Sequence, residues 1–226
     1  MQITLAKQAI DVGLFTNAPD AVLRYWQRQV GVPFAELLPI GNGVRQHRHA
    51  IGESVLKIND CRDPLPLAAA GGIRALTIAD PSLTEPWQGT DPDDNLVQRV
   101  PAGHDGVEQL RVALTVSDLA SHQRFYGEVL EFPALDPVTF QCGVSQIRLT
   151  EGDATRDPEQ RAQGYRYLTI QVRDVNGCHA EILRRGGREG RAPVTLGSVA
   201  RISFVRDPDG NWIEVSQRKS ITGSLD

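Results

Sequence analysis

A polar hairpin early in the chain carries the side chains best suited to chemistry. Residues 44–49 read VRQHRH, and after a short turn residues 54–59 read SVLKIN. Because side chains alternate between the two faces of a strand, one face of the first strand presents Arg45, His47 and His49. One face of the second strand presents Val55, Lys57 and Asn59. If these faces line one pocket, the cations attract an acidic ligand, and the two His are the candidate catalytic groups for proton transfer.

Two other interpretations of this hairpin stay open. In the first, the strand lies at an exposed sheet edge and its polar side chains are solvated. In the second, His47 and His49 bind a divalent metal together with Asp11, because imidazole and carboxylate groups are common metal ligands. Pairs of His two positions apart on a strand are frequent by chance, so we predict no metal site and leave the cofactor undefined.

Charge and composition exclude several classes of protein. The chain has 226 residues, with 24 Lys and Arg against 28 Asp and Glu, which gives a formal net charge of −4. Such mild acidity provides no general attraction for nucleic acid or an anionic membrane. No apolar stretch is long enough to span a bilayer, and the N-terminal residues lack the layout of a secretory signal. The three Cys are far apart and encode no disulfide framework, so we expect a cytoplasmic protein.

An internal repeat divides the chain into two related halves. Residues 12–33 and residues 112–133 share a Val, an Arg followed by two aromatic residues, and a Pro, at a constant offset (112 − 12 = 100). The segment DPDDNLVQ at 91–98 likewise matches DPDGNWIE at 207–214. We predict a first domain at 1–103 and a second at 104–226, because Pro and Gly interrupt the apolar pattern near the junction.

Each half is predicted to contain two units of one strand, one helix and further strands. In the second half, apolar residues alternate from 112 to 116 as in a half-buried strand, and Asp118 caps a helical pattern over 119–130. Short strands follow, and the same order begins again at residue 166. The first half has a shorter interval between its last two landmarks, 23 residues (98 − 75) against 47 (214 − 167), so its second helix is shortened or lost around 81–87.

This order of elements, with the DPDGN turn before the last strand, resembles the vicinal oxygen chelate superfamily. That superfamily includes glyoxalase I, fosfomycin and bleomycin resistance proteins, and extradiol dioxygenases. The resemblance implies an α+β fold of tandem paired βαβββ modules, whose mixed sheets curl into cups with the helices outside. It also implies a metal ion on the floor of the cup. The same scaffold hosts isomerases, transferases, dioxygenases and plain binding proteins, so the fold alone does not specify the reaction.

The metal ligands implied by the resemblance lie on the first strand, on the first strand of the second module, and on the last strand. In the second half these positions hold Arg111, Tyr167 and Glu214; in the first half they hold Asp11, Ala75 and Gln98. Arg is cationic and neutral Tyr is a poor ligand, so we predict that the usual triad is not preserved in either half. Strand alternation instead favours an ion pair between Arg111 and Glu214, with Tyr167 nearby and Trp212 as a pocket wall.

The resemblance and the hairpin together predict a protein that acts on or binds a small, oxygen-rich, acidic metabolite. The alternative is a non-catalytic binding or sequestration protein of the bleomycin-resistance type, and whether the chain is a lyase, an isomerase or a ring-cleaving enzyme stays open. The expected partner is a small molecule, not nucleic acid or a membrane, and a homodimer stays open. His104 is interpreted as a linker residue. The candidate ligand-binding residues are Asp11, Arg45, Lys57, Asn59, Gln98, Arg111, Tyr167, Trp212 and Glu214.

Overall fold

The computed structural model describes residues 3–225 as a mixture of strands and short helices. The strands are β1 Leu5–Thr16, β2 Phe34–Gly41, β3 Val44–Ile51, β4 Ser54–Cys61, β5 Ile73–Ala79, β6 Trp87–Thr90, β7 Leu96–Val100, β8 Leu110–Val116, β9 Ala134–Asp136, β10 Thr139–Cys142, β11 Ser145–Glu151, β12 Gly164–Val172, β13 Arg188–Leu196, β14 Ala200–Arg206 and β15 Trp212–Arg218. The helices are α1 Pro19–Arg24, α2 Leu119–Arg124, α3 Val175–Arg184 and α4 Lys219–Thr222. Within the described residues, no helix is long and apolar enough to cross a membrane.

Local sequence accounts for where the helices begin and end. The Asp118 carboxylate accepts a hydrogen bond from the Ser121 amide at 2.7 Å, and Asp174 accepts one from the Gly177 amide at 3.0 Å, so both side chains cap helices. Both α1 and α2 continue as π-helical turns, Tyr25–Val30 and Phe125–Val129. No helix lies between β5 and β6, where the shortened interval of the sequence falls.

The strands form two sheets, and each sheet takes one module from each half of the sequence. The eight-stranded sheet has the order β13-β14-β15-β12-β1-β4-β3-β2, and the seven-stranded sheet has the order β6-β7-β5-β8-β11-β10-β9. In each case two modules meet through an antiparallel central pair, β1 with β12 and β5 with β8. The predicted α+β fold with tandem βαβββ modules is confirmed, whereas the domain boundary between residues 103 and 104 stays a prediction.

Each sheet has one apolar face and one polar face. The apolar faces, with the helices, contribute to a single buried core that includes Leu14, Trp26, Leu114 and Tyr126. The polar face of the eight-stranded sheet is strongly curved. Arg218 of β15 and Glu36 of β2 lie 3.4 Å apart (Nη1 to Oε1), although four strands separate them in the sheet. A flat sheet would hold those strands about 24 Å apart, so the sheet curls into a cup.

The repeated DPD turns join the two sheets. In the first half, the Trp26 indole next to α1 donates a hydrogen bond to Asp91 at 2.9 Å. In the second half, the Tyr126 hydroxyl next to α2 donates one to Asp207 at 3.2 Å. Because each aromatic residue belongs to a module of one sheet and each Asp to a module of the other, the motif clamps neighbouring modules together.

Candidate functional site

Two polar cups are the candidate sites, and they differ in what fills them. We call the polar face of the eight-stranded sheet, around Asp11, Lys57, Thr169 and Glu214, the filled cup. We call the polar face of the seven-stranded sheet, around Thr77, Gln98, Arg111 and Gln146, the open cup. The strand pairing places Asp11, Thr169 and Glu214 in one row and Arg111, Thr77 and Gln98 in the corresponding row, so the two cups can be compared position by position.

The floor of the filled cup contains a buried ion pair. Asp11 is paired with Thr169 across β1 and β12, and Thr169 with Glu214 across β12 and β15, so these three residues form one row. The Lys57 ammonium reaches this row from β4. Its Nζ lies 2.8 Å from Thr169 Oγ1 and 3.1 Å from Glu214 Oε2.

Burial of these charged groups is electrostatically costly unless every charge has a partner of opposite sign. Lys57 is only 3% exposed, and its desolvation lowers the pKa of the ammonium, while Glu214 opposes that shift. Asp11, fully buried, accepts hydrogen bonds from the Lys7 ammonium at 2.5 Å and from the Val55 amide at 2.9 Å. Each carboxylate therefore has a cation of its own, which is the condition for keeping buried charges stable.

Long side chains occupy the rest of the filled cup. The buried Arg48 guanidinium lies 2.9 Å from Glu36, and Arg218 reaches the same carboxylate from the other rim. At one end the Tyr167 ring lies directly over Gly13, where an added Cβ would come within 2.0 Å of the ring. Tyr167 also accepts a hydrogen bond from Asn59 at 3.1 Å. The glycine is thus required by the close approach of this ring.

An aromatic layer closes that end of the cup. Tyr167 packs against Phe15 and Phe204, with ring centroids 5.9 and 6.2 Å apart, and Trp212 packs against Phe204 at 5.8 Å. The Trp212 indole donates a hydrogen bond to the Pro158 carbonyl at 2.9 Å. Trp212 and Tyr167 are both buried, so these predicted ligand-binding residues contact the protein's own side chains.

The open cup holds a cavity of about 230 Å³. Its row of residues is Gln146, Arg111, Thr77 and Gln98, by the pairing of β11 with β8, β8 with β5 and β5 with β7. The linker between β7 and β8 forms one wall with His104, Asp105 and Val107. The cavity is therefore bounded by the Arg111 guanidinium, the His104 imidazole, the Asp105 carboxylate, several neutral polar groups and a few apolar side chains.

Arg111 is held in place by neutral oxygen atoms. Its Nε donates to the Gln146 amide oxygen at 2.9 Å, and its Nη2 donates to the Asp105 carbonyl at 2.6 Å. Partial burial lowers the pKa of the guanidinium, and the charge of Arg148 acts in the same direction, while the Asp105 and Asp136 carboxylates oppose the shift. No ion pair within 4 Å joins Arg111 to a carboxylate in the part of the chain that the structure describes. Asp105 acts on it only at longer range through a 79% exposed side chain, so the guanidinium can still pair with an acidic ligand in the cavity.

The register corrects two expectations about the cups. Tyr167 is level with Gly13 and Trp212, and Thr169 is the residue level with Glu214, so the ligand position in β12 lies two residues beyond Tyr167. The expected Arg111–Glu214 ion pair is also wrong. Arg111 belongs to the seven-stranded sheet and Glu214 to the eight-stranded one, because modules pair between the halves of the chain and not within them.

The predicted pocket around the His hairpin is wrong as well. In the antiparallel pairing of β3 with β4, Arg48 lies opposite Lys57 and His49 lies opposite Leu56. Directly opposite residues share a face, so His47 and His49 lie on the face away from Lys57 and Asn59. His49 is fully buried there, its ring 5.7 Å from that of Phe34, with Gln27 3.0 Å from its Nε2. Burial lowers the pKa of His49 to about 4, so its ring is neutral at physiological pH.

Arg45 and His47 contact Asp60, and neither lines any of the three cavities with described linings. Arg45 lies 2.5 Å from the Asp60 carboxylate with a 63% exposed side chain, and His47 lies 3.8 Å from the same carboxylate. The other members of the predicted set are divided between the cups. Asp11, Lys57 and Asn59 lie in the filled cup, and Gln98 lies in the open cup, in the same row as Arg111 with Thr77 between them.

The donor set of neither cup fits a metal ion. Within residues 3–225 there is no group of three or more His, Cys, Asp or Glu side chains placed to hold one. In the filled cup, the Lys57 ammonium contacts the Glu214 oxygen that a metal would need. In the open cup, the corresponding row offers a guanidinium and neutral side chains, and a cation does not bind next to Arg111.

Several residues of the open cup were not singled out by their sequence pattern. These are Thr77, Gln88, His104, Asp105 and Gln146. His104 lies in the linker and carries no motif, yet it lines the cavity. The internal repeat could have identified one of them. Thr77 in the segment RALTI occupies the same place as Thr169 in the segment RYLTI.

Comparisons with known proteins agree with this architecture. The family model of the Glyoxalase/Bleomycin resistance protein/Dioxygenase superfamily matches residues 109–215. The virulence protein STM3117 of Salmonella typhimurium is 35% identical in an alignment 120 residues long that covers 47% of this chain and 81% of that protein. Among solved structures, glyoxalase I from Zea mays has a TM-score of 0.73 at 16% identity, covering 92% of this chain and 92% of that chain.

A second structural neighbour is the cppA protein from Streptococcus pneumoniae. It has a TM-score of 0.59 at 8% identity, covering 96% of this chain and 98% of that chain. At such low identities, the similarity of the cppA protein and the maize protein to the present chain shows a shared fold alone. Reaction and ligand have to be argued from the side chains of the two cups.

Proposed function

Because this chain belongs to the Glyoxalase/Bleomycin resistance protein/Dioxygenase superfamily, we propose that its open cup binds a small carboxylic acid without the help of a metal ion. One observation carries the proposal. The Arg111 guanidinium stands in the wall of a cavity and has only neutral hydrogen-bond acceptors for partners. A planar guanidinium matches the two oxygens of a carboxylate, and partial exclusion of water strengthens the pair.

The size and lining of the cavity narrow the ligand class. A volume of about 230 Å³ is below the range of about 300–1,000 Å³ that is typical for drug-sized ligands, so the acid is small. Thr77, Gln88 and Gln98 add neutral donors and acceptors beside the guanidinium. These groups suit hydroxyl or carbonyl oxygens of the ligand. A small hydroxy or oxo acid therefore fits the lining better than an amine or a hydrocarbon.

The proposal is tested by calorimetric titration with a panel of small hydroxy and oxo acids and with their neutral amides, in the presence of a metal chelator. We expect the acids to bind and the amides to bind at least about tenfold more weakly. Arg111→Gln should abolish the difference between acid and amide. Arg148→Gln is the matched control, because this exposed Arg lies outside the cavity lining. Equal acid binding by the Arg111 variant, or binding that requires a divalent metal, would contradict the proposal.

Catalysis at the same cavity is a second candidate function, and His104 favours it. Its imidazole lines the cavity, with Nε2 3.7 Å from Asp105 Oδ2, and an imidazole can remove a proton from a carbon next to a carbonyl and return it. NMR detection of deuterium uptake by a bound oxo acid in deuterated water would reveal this reaction. His104→Gln should stop the exchange while acid binding persists. Absence of exchange in the wild type leaves the cup as a binding site alone.

A further inference from the structure

The filled cup presents the carboxylates of a cation site, but a lysine already occupies it. Asp11, Thr169 and Glu214 form one row across three adjacent strands, and their oxygens face the cup. The Lys57 ammonium, carried on the neighbouring strand β4, enters this row and contacts two of the three residues. The ammonium and a divalent cation would compete for the same oxygen atoms.

We infer that Lys57 is a built-in replacement for a divalent cation, and that the filled cup is a latent oxygen-ligand metal site which this side chain closes. The inference concerns the filled cup and does not depend on ligand binding in the open cup. It explains why the cup has kept two buried carboxylates although it has no cavity among those described. Without Lys57, the buried Glu214 carboxylate would lack its compensating cation, since Lys7 pairs with Asp11.

Charge counting supports the replacement. With Lys57 and Lys7 in place, two ammonium groups balance the Asp11 and Glu214 carboxylates. Arg48 and Arg218 share the one Glu36 carboxylate, so the cup already has one excess positive charge. A divalent ion would raise that excess to three, so the wild-type cup should reject it. Arg48 faces the same cup but is engaged by Glu36, so Lys57 is the cation whose removal uncovers Glu214.

The ligand chemistry predicts which cations the uncovered site would take. Two carboxylates and a hydroxyl are hard oxygen donors, which favour Mn²⁺, Mg²⁺ and Ca²⁺ over metals that prefer nitrogen or sulfur. We therefore choose Mn²⁺ as the probe, since its free form is measured directly by electron paramagnetic resonance. Lys57→Gln removes the charge and leaves one more oxygen donor on β4.

The experiment compares Mn²⁺ binding by four forms of the full chain. We expect Lys57→Gln to bind about one Mn²⁺ per chain with a Kd on the order of 10⁻⁴–10⁻³ M, the range of weak oxygen-ligand sites. The wild type should show no saturable binding. Lys7→Gln removes an equal charge beside Asp11 but leaves Lys57 in place, so it should resemble the wild type. Lys57→Gln/Glu214→Gln should lose the binding gained by the single variant.

Three results would overturn the inference. The first is stoichiometric Mn²⁺ binding by the wild type at Asp11 and Glu214. The second is a folded Lys57→Gln variant that binds no Mn²⁺ at millimolar concentration. The third applies if Lys57→Gln does not fold without metal and Mn²⁺ fails to restore its circular dichroism spectrum. A cation that takes the place of Lys57 has to compensate the loss of that side chain. Recovery of the folded spectrum by Mn²⁺ but not by Na⁺ would support the inference.

Discussion

Where the filled cup has Asp11, Thr169 and Glu214 in one row, the open cup has Arg111, Thr77 and Gln98 at the corresponding places. The next row shows a second difference. Lys57 and Gly13 of the filled cup correspond to Arg148 and Ala113 of the open cup, each pair in matching register. Lys57 points across the floor and is buried, whereas Arg148 is 47% exposed and lies near Asp136.

The difference shows how one backbone plan produces a structural interior in one place and a candidate site in another. In the filled cup, carboxylates and ammonium groups from neighbouring positions compensate one another and occupy the floor. In the open cup, the row has a single guanidinium with neutral hydrogen-bond partners, and a cavity lies beside it. Four substitutions test this contrast, beginning with the largest expected effect.

Lys57→Met should destabilise the protein by about 3–5 kcal/mol, because it leaves the buried Glu214 carboxylate without its cation. The free energy of unfolding is measured by urea denaturation. The double variant Lys57→Met/Glu214→Met should recover most of the loss, since it removes both charges together. If the single variant is as stable as the wild type, the ion pair does not hold the filled cup together.

Gly13→Ala should lower the free energy of unfolding by about 1–3 kcal/mol, since the new methyl group meets the Tyr167 ring and the tightly packed layer has to move. The corresponding residue of the open cup, Ala113, pairs with the small Ala75 and accommodates its own methyl group. Ala113→Gly is therefore the matched comparison, with an expected loss of about 0.5–1 kcal/mol. Equal losses in the two variants would remove the distinction between the rows.

Gln98→Glu should weaken carboxylic acid binding in the open cup at least about tenfold, equivalent to about 1.4 kcal/mol. The new carboxylate stands where Glu214 stands in the filled cup, and it both neutralises Arg111 and repels the ligand. Calorimetric titration measures the effect. Gln29→Glu adds the same charge at an exposed position that is not among the cavity-lining residues, and it should leave affinity unchanged. Undiminished affinity in the Gln98 variant would place the acid elsewhere.

Arg148→Met should change the free energy of unfolding by no more than about 0.5 kcal/mol. This residue is the counterpart of Lys57, but its half-exposed side chain lies 3.9 Å from Asp136, and such surface pairs contribute little. Urea denaturation at two salt concentrations checks the expectation. A loss comparable to that of Lys57→Met would mean that the two cups depend on their central cations to the same degree.

The sequence predicted the individual modules, but it did not predict which module pairs with which in each sheet. Alternating strands, helix caps such as Asp118 and the constant offset of 100 residues predicted the βαβββ units correctly. Nothing in a single sequence specifies whether the modules pair within a half or between halves, because β1 and β8 have equivalent patterns. That choice separated Arg111 from Glu214.

The facing of the His hairpin failed for a different reason. Alternation correctly grouped His47 with His49 and Lys57 with Asn59, but it does not state which group faces its neighbour across the turn. The two-residue period makes the wrong choice as regular as the right one, so a shift of one residue in pairing reverses every side chain. The neutral, buried His49 shows that a polar residue type alone does not identify a pocket.

The sheet order also implies an order of assembly during synthesis. In the seven-stranded sheet, Leu76 pairs with Val112, which follows it by 36 residues (112 − 76). In the eight-stranded sheet, Val12 pairs with Leu168, which follows it by 156 residues (168 − 12). Short loops close at a smaller entropic cost, and a growing chain presents its N-terminal strands first. The edge of β1 in the first module therefore stays unpaired, and Lys57 stays without Glu214, until nearly the whole polypeptide has been made. Slow steps and aggregation in folding should be concentrated in that interval.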